Sequence, residues 1–383
     1  MLLSHANLFT KDFRFAPQSS VQVDGSRIAT VREGGTIEVG SEEVVDLKGL
    51  SLIPGLVDIH FHGAVGHDLM EGTEEALDAI AKYEAACGIV AICPATMTMS
   101  EADITKACAN VLDYSVKDDG ADVVGINMEG PFVSPKKVGA QNPEFVHQPD
   151  VDFFRRCNAA AGGKIKLMAI APEEPNAIET IRILNKEVLS SIAHTCCSYD
   201  IAREAIDAGA THLTHCYNAM PGLAHRDPGP IAAMADAQWG EAEIICDGIH
   251  IHPAAVRAAF RMLGEERMIL ISDSMMAVGL DDGTYELGGQ PVYVKGRLAT
   301  LKSGTIAGSA TNLYDCMKNA YQTMGLALST VIRCATYNPA RSIKVLEDYG
   351  TIEAGKVASM LVVDSELNLK GVLLRGKWLF KNF

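Results

Sequence analysis

Twenty residues from Thr211 to Pro230, THLTHCYNAMPGLAHRDPGP, carry the densest chemistry in the chain. They hold imidazoles, a side-chain amide and an arginine set among Pro and Gly. In an extended run from Ala210 to Cys216, side chains alternate between faces, so Leu213 and His215 share one side and His212 takes the other. One of the two histidines can then be an inward-facing metal ligand; the bland alternative for His215 is a hydrogen-bonded core histidine. Arg226 sits in a turn stiffened by Pro221, Gly222, Pro228 and Gly229. It is either a reader of a phosphate or carboxylate or a solvated surface arginine.

Further polar residues recur where apolar runs end. The runs end in His60-Phe61-His62, Met128-Glu129-Gly130-Pro131, Ala193-His194-Thr195, Thr214-His215, Asp247-Gly248-Ile249-His250 and Ser272-Asp273-Ser274. A lone histidine after a strand carries little information, whereas six such ends bearing His, Glu or Asp form a set. Imidazole and carboxylate together suit zinc, iron or another divalent ion, and such a site can keep a position open for water. A bound divalent ion lowers the pKa of its water and polarises a carbonyl, the requirements of amide hydrolysis. Asp273 would then take a proton from the nucleophile and return it to the leaving nitrogen. The competing reading of Asp273 is a helix cap or turn residue.

The elements that must position these residues are legible as two textures. From about Ile53 to Leu346, apolar runs recur at Leu56 to His62, Ile89 to Thr96, Val123 to Glu129, Ile165 to Ala171, Ser190 to Thr195, His212 to Cys216, Glu243 to Gly248 and Met268 to Ser272. Helical patterns separate most of them, among them EEALDAIAKYEAACG, YDIAREAIDAG and HPAAVRAAFRMLG, the last two closing on a capping Gly. Eight strands alternating with helices predict a (β/α)8 barrel, with its chemistry at the C-terminal strand ends. An open doubly wound sheet is the alternative; neither GxGxxG after a strand nor GxxxxGK[ST] is present to support it. Residues 1–52 (SVQVDG, SRIATV, TIEVG) and 347–383 are β-rich and turn-punctuated. They predict a small β-sandwich domain built from both chain termini around a barrel at 53–346.

Composition narrows the partners. The 383 residues carry 33 Lys plus Arg against 48 Asp plus Glu, a net charge of −15, which disfavours nucleic acid and anionic membranes. Ten scattered cysteines without a CxxC pair suggest neither a disulfide framework nor a zinc knuckle and fit a reducing cytoplasm. No apolar stretch reaches the length of a membrane span.

The segments LIPGLVDIHFHG, NMEGPF, AHT, THCYNAM, DGIH and SDSM, with GTIAGSATNL and the terminal GTIEAGKVASMLVVD, resemble the N-acetylglucosamine-6-phosphate deacetylases of the amidohydrolase superfamily. EGP, HxYNAM and DGIH mark those deacetylases; PGxxDxHxHG and GxIxxGKxA mark the wider superfamily. The resemblance implies metal ligation by Glu129, His194 and His215, with His60 and His62 available for a second ion, so that one or two zinc or iron ions are expected. It implies proton transfer by Asp273 and sugar-phosphate contacts from Asn218 and Ala219. It also implies phosphate binding by Arg226 and His250, across a dimer interface or within one chain, and a sugar site lined by Ile306, Ala307 and Gly308. Ala140 falls in a loop expected at the substrate amide, where Gln141 stands at a position that many members fill with histidine. The implied partner is a small amino sugar phosphate, of glucosamine or galactosamine configuration, and the implied assembly a homodimer or dimer of dimers. A barrel retained as a non-catalytic sugar-phosphate sensor is the alternative class.

Overall fold

The computed structural model describes residues 1–38, 40 and 43–383. Its centre is a curled parallel sheet of eight strands: β1 (Leu56–Asp58), β2 (Ile89–Ile92), β3 (Ile126–Met128), β4 (Ile165–Ile170), β5 (Leu189–Ile192), β6 (His212–Leu213), β7 (Glu241–Ile245) and β8 (Met268–Ile271). Strands β3 to β8 form one run and β1 pairs with β2. The seam between β2 and β3 is spanned by the short strand Asp122–Val123 on β2 and a parallel bridge from Ala95 to Asn127. Beyond β8 and β1 the chain closes the ring: the Asp273 amide donates to the His60 carbonyl (3.0 Å), and the His62 amide to the Ser274 carbonyl (2.7 Å). The result is the expected TIM-like barrel.

Each strand is followed by a helix: Glu74–Ala86, Glu101–Asp113, Val151–Ala160, Ala177–Leu184, Tyr199–Ala208, Gly229–Asp236, Pro253–Leu263 and Leu313–Gln322. Local chemistry sets many of their ends. Thr73, Ser100, Asp150, Ser198 and Asn312 accept backbone N–H bonds as N-caps, and Gly209 and Gly264 close two helices as their sequences predict. Alternate strand residues divide between two cores. Val57, Ile59, Ala91, Cys93, Leu167, Ile245, Ile269 and Ile271 pack together with Ala340 and Ile343, while Leu56, Ile92, Met168, Ile170, Ile192 and Leu270 pack against the helices. The barrel centre is therefore a filled apolar plug, with the C-terminal strand ends as its rim.

All eight predicted strands exist, but several stop before the expected residue. β1 ends at Asp58, not His62, and β6 comprises only His212 and Leu213. The physical reason lies in the backbone, which leaves the pleat as it reaches the polar residues: His194, His215, Tyr217, Ala219 and Asp273 all have positive φ.

Strands from both chain ends share one sheet, in the order Lys377–Lys381, Leu369–Leu374, Met360–Val363, Ser51–Pro54, Leu2–Phe9, Phe15–Asp24 and Arg27–Arg32, with Val44–Asp46 also on Leu2–Phe9. The run TIEVG forms no strand among its described residues, and its Val39 lies outside them. One element was not expected from sequence: a three-stranded antiparallel sheet, Gly283–Leu287, Gln290–Lys295 and Leu298–Leu301, inserted between β8 and its helix. Its Leu287, Val292, Val294 and Ala299 bury against Met97 and Met275, which seats the insertion beside the barrel mouth.

Candidate metal centre and active site

At the C-terminal rim, four imidazoles converge on one carboxylate. Glu129, one residue beyond β3, lies with Oε1 3.1 Å from His215 Nε2, 3.2 Å from His194 Nε2 and 3.3 Å from His60 Nε2; its Oε2 lies 3.2 Å from His62 Nε2. All five residues are buried. Their ligand atoms fall into two groups, His60–His62–Glu129 and Glu129–His194–His215, which share the carboxylate.

The tautomers follow from the neighbours. His194 Nδ1 is 3.1 Å from the Lys137 carbonyl and His215 Nδ1 is 3.1 Å from the Asn218 carbonyl; a carbonyl only accepts, so both Nδ1 atoms carry the proton. With the Nδ1 proton so engaged, each ring can offer an Nε2 lone pair toward Glu129, and the two Nε2 atoms face each other at 3.1 Å. His60 repeats the arrangement, with Nδ1 donating to Glu243 Oε2 at 2.7 Å and a buried Nε2 that has no hydrogen-bond partner. Lone pairs aimed at one another and at a carboxylate repel unless a cation sits between them, so the donor set fits a divalent metal. Without one, protons take that part. Burial opposes charge on His62, yet its bonds to Asp273 and Glu129 push its pKa up to about 10.

Asp273 stands on the other side of the imidazoles, with Oδ1 3.3 Å from His62 Nε2 and 3.7 Å from His60 Nε2. Burial would raise its pKa, but the His62 hydrogen bond and the positive potential of the two rings hold it below the usual carboxylate range. Its left-handed backbone (φ 50°) is held by the His60 carbonyl on its N–H and by the Ser309 N–H on its carbonyl (2.7 Å). No helix begins there, so the capping reading of Asp273 fails. Gly308 passes so close that a Cβ would lie 3.2 Å from the Asp273 carbonyl, at φ 63°. Any other residue here would be strained.

These groups open into a cavity of about 330 Å³. Of the sequence-predicted substrate residues, Ala140, Gln141, Asn218, Ala219, His250, Ile306 and Gly308 line it, whereas Ala307 is buried behind the wall. Arg226 is exposed and outside the cavity, so the structure does not bring it to this site within one chain. His250 is fixed by Asp247, whose Oδ2 accepts from Nδ1 at 2.7 Å while Oδ1 accepts the His250 and Ile249 amides. Burial disfavours its charge, but Asp247 outweighs that and raises its pKa above the ordinary value. His67 pairs with Glu71, His225 is exposed and His252 caps its helix, in line with no role for them here.

Sequence reasoning missed Glu243. This fully buried carboxylate accepts from His60 Nδ1, His212 Nε2 (3.1 Å) and the His215 amide (3.2 Å), so it joins both halves of the cluster. His212 is thereby placed as a partner of Glu243 and not of Glu129. Met97, Lys137, Gly139, Leu287 and Thr305, which also line the cavity, were missed as well.

The Amidohydrolase family model matches residues 51–379. The chain belongs to the amidohydrolase family. Within it, the chain is 34% identical to the N-acetylglucosamine-6-phosphate deacetylase of Bacillus subtilis, over 98% of this chain and 97% of that protein. It is 33% identical to an N-acetylgalactosamine-6-phosphate deacetylase of Escherichia coli O157:H7, over 85% of this chain and 87% of that one. Its structure superposes with a TM-score of 0.92, at 29% identity and over 100% and 99% of the two chains, on a mutant N-acetyl-D-glucosamine-6-phosphate deacetylase of Mycobacterium smegmatis in complex with N-acetyl-D-glucosamine-6-phosphate. The family drawn from the sequence motifs is thus the family the comparisons return. Amidohydrolase membership makes the chain a metal-dependent amide hydrolase, and the Glu129 cluster supplies its candidate ligands.

Proposed function

We propose that this chain hydrolyses the acetamide of N-acetyl-D-glucosamine 6-phosphate to D-glucosamine 6-phosphate and acetate. One observation carries the reading: a shared-carboxylate imidazole cluster and the carboxylate of Asp273 face one cavity large enough for a sugar phosphate. The relatives named for this reaction match nearly the whole chain and support it.

Glu129, His194 and His215 would hold one divalent ion, and His60 and His62 a second that shares Glu129; zinc or iron suits the imidazole and carboxylate donors. The ion supplies Lewis acidity, which makes water nucleophilic near neutral pH and polarises the acetyl carbonyl. Asp273, held ionised, takes the proton from the attacking water and passes it to the departing nitrogen, which leaves poorly as an anion. Asn218, Ala219, Ile306, Ala307 and Gly308 shape the sugar pocket, with Ala140 and Gln141 at the acetamide end. His250, its pKa raised by Asp247, binds the phosphate. Arg226 joins it from a second copy of the chain; its exposure beside exposed Leu223 supports a homodimer or dimer of dimers.

Residues 1–52 and 347–383 act as one β-sandwich module around the barrel of 53–346, a division supported by their shared sheet and by a separate core of Leu3, Leu8, Val21, Ile28, Met360 and Val362. No helix among the described residues is long and apolar enough to cross a membrane, and the ten cysteines are free thiols, which fits a cytoplasmic setting.

The galactosamine epimer is the second reading, favoured by the Escherichia coli relative. Acetate release from the two N-acetyl hexosamine 6-phosphates, on protein whose bound metals are counted, separates them. Faster release from the glucosamine epimer supports the proposal, and preference for the other epimer replaces it. No release from either by metal-loaded protein overturns both.

A further inference from the structure

We infer that Gln141 is a positioning residue that locks the Glu129 carboxylate in the orientation joining the two imidazole pairs. The inference rests on the reading of Glu129 as a metal ligand and gives Gln141 a task besides lining the substrate cavity.

Gln141 is only 2% exposed, and both ends of its amide are engaged. Its Oε1 accepts the Thr98 backbone N–H at 2.6 Å, and its Nε2 donates to Glu129 Oε2 at 2.7 Å. The orientation of the amide is fixed by chemistry. A backbone N–H can only donate and an ionised carboxylate only accept, so the flipped amide would set hydrogen against hydrogen and oxygen against oxygen. The Thr98 N–H alone fixes which end of the amide is Oε1, and the 2.7 Å contact then sets Nε2 on Glu129.

The loop that carries Gln141 is itself tied down. The Gln141 amide donates to the Val138 carbonyl (2.9 Å), and Gln290 Nε2 of the inserted sheet donates to the Ala140 carbonyl (2.7 Å). Gly139 lets the loop approach the ligand shell, since a Cβ there would lie 3.3 Å from His194 Cε1. The inserted sheet, the loop, Gln141 and Glu129 thus form one chain of contacts from the cavity rim to the ligand that both triads share. With Oε2 held by Gln141 on the His62 side, Oε1 is left to His60, His194 and His215. A carboxylate free to rotate about its last torsion would lose that division of labour between its oxygens. Because an amide has no acid–base equilibrium near neutral pH, the clamp is present across the working range.

The test is metal binding in the absence of substrate, with cobalt(II) as the probe. Q141M keeps the volume and removes both hydrogen bonds; Q141N keeps the amide but is a methylene too short to reach both partners. Each variant should fold with a somewhat lowered metal-free melting temperature, since the buried Thr98 N–H loses its acceptor, and should bind cobalt(II) on the order of 10- to 100-fold more weakly with an altered cobalt absorption spectrum. Wild-type affinity with an unchanged spectrum in either folded variant overturns the inference. So does a lowered metal-free melting temperature with unchanged affinity, which would assign Gln141 to the loop's architecture alone. Should wild-type protein release no acetate while Q141M still loses cobalt, the proposed reaction falls and the inference about Gln141 stands.

Discussion

His194 and His215 point their Nε2 atoms at each other across 3.1 Å while each ring gives its Nδ1 proton to a backbone carbonyl. The pose sets two Nε2 atoms face to face beside a shared carboxylate, a geometry that a divalent cation between them satisfies. Metal removal by a chelator should therefore lower the melting temperature, and returning the ion should restore it. An ion present at a hundred times its dissociation constant stabilises the fold by about 2.7 kcal/mol. Calorimetry of metal-free and reloaded protein measures this, and identical melting curves would contradict it.

Replacing Asp273 by Asn removes the proton acceptor and keeps the shape. Turnover should fall on the order of 10²- to 10⁴-fold while bound metal stays at the wild-type count, because Asp273 belongs to neither ligand triad. Assaying rate and metal on the same preparation checks both halves. An unchanged rate would remove Asp273 from the mechanism.

Glu243→Gln tests the buried carboxylate behind the cluster. The His60 tautomer is set by its 2.7 Å bond to Glu243. Weakening that bond should lower metal affinity at the His60–His62 pair on the order of 10- to 100-fold. The Glu129–His194–His215 group keeps its side-chain ligands and should lose less. Metal titration resolves the two classes, and equal losses in both would show that Glu243 acts through the His215 amide instead.

The Asp247–His250 pair sets a pH window. The folded His250 pKa is raised, so its stabilising share is complete below an unfolded value of about 6.5 and is lost as pH rises through the folded value. The Asp247 pKa is lowered, so its share is complete above an unfolded value of about 3.9 and is lost as pH falls through the folded value. Both are present between. Asp247→Asn should shift the His250 titration down and raise the KM of a phosphorylated substrate, with less effect on an unphosphorylated one. NMR titration of the ring and paired KM values decide it.

The barrel was legible because its strands are apolar runs and its helices carry their own start and stop residues, such as Thr73 and Gly209. The candidate cluster was legible because His60, His62, Glu129, His194 and His215 follow those runs and fall in the motifs of the resemblance, and the structure brings them together. Where strands stop was less so, since His215 and Asp273 leave the pleat through positive φ, a choice that residue type does not announce. Glu243 was hidden for another reason: in sequence, a carboxylate inside a strand looks like a residue facing water. The Lys137 carbonyl, which sets the His194 tautomer, is a backbone group that any residue could supply. Arg226 lies outside the cavity of its own chain, for its Pro and Gly neighbours make a rigid turn whether or not that turn faces the cavity. The inserted sheet did leave signals, alternation in TYEL and PVYVK around Gly-Gly and Lys-Gly, but the barrel count was complete without it.

The strand Ser51–Pro54 lies between Leu2–Phe9, which precedes it in the chain, and Met360–Val363, which follows the whole barrel. As the polypeptide emerges from the ribosome, that apolar edge has no partner until the barrel has been translated. The contact is about as non-local as this chain allows, the kind that folds late and recruits chaperones or stray strands in the interval. Pro54 leads directly into β1 and so to His60 and His62. Nascent fragments that already contain every candidate ligand but stop short of Met360 would still lack the strand that pairs with Ser51–Pro54.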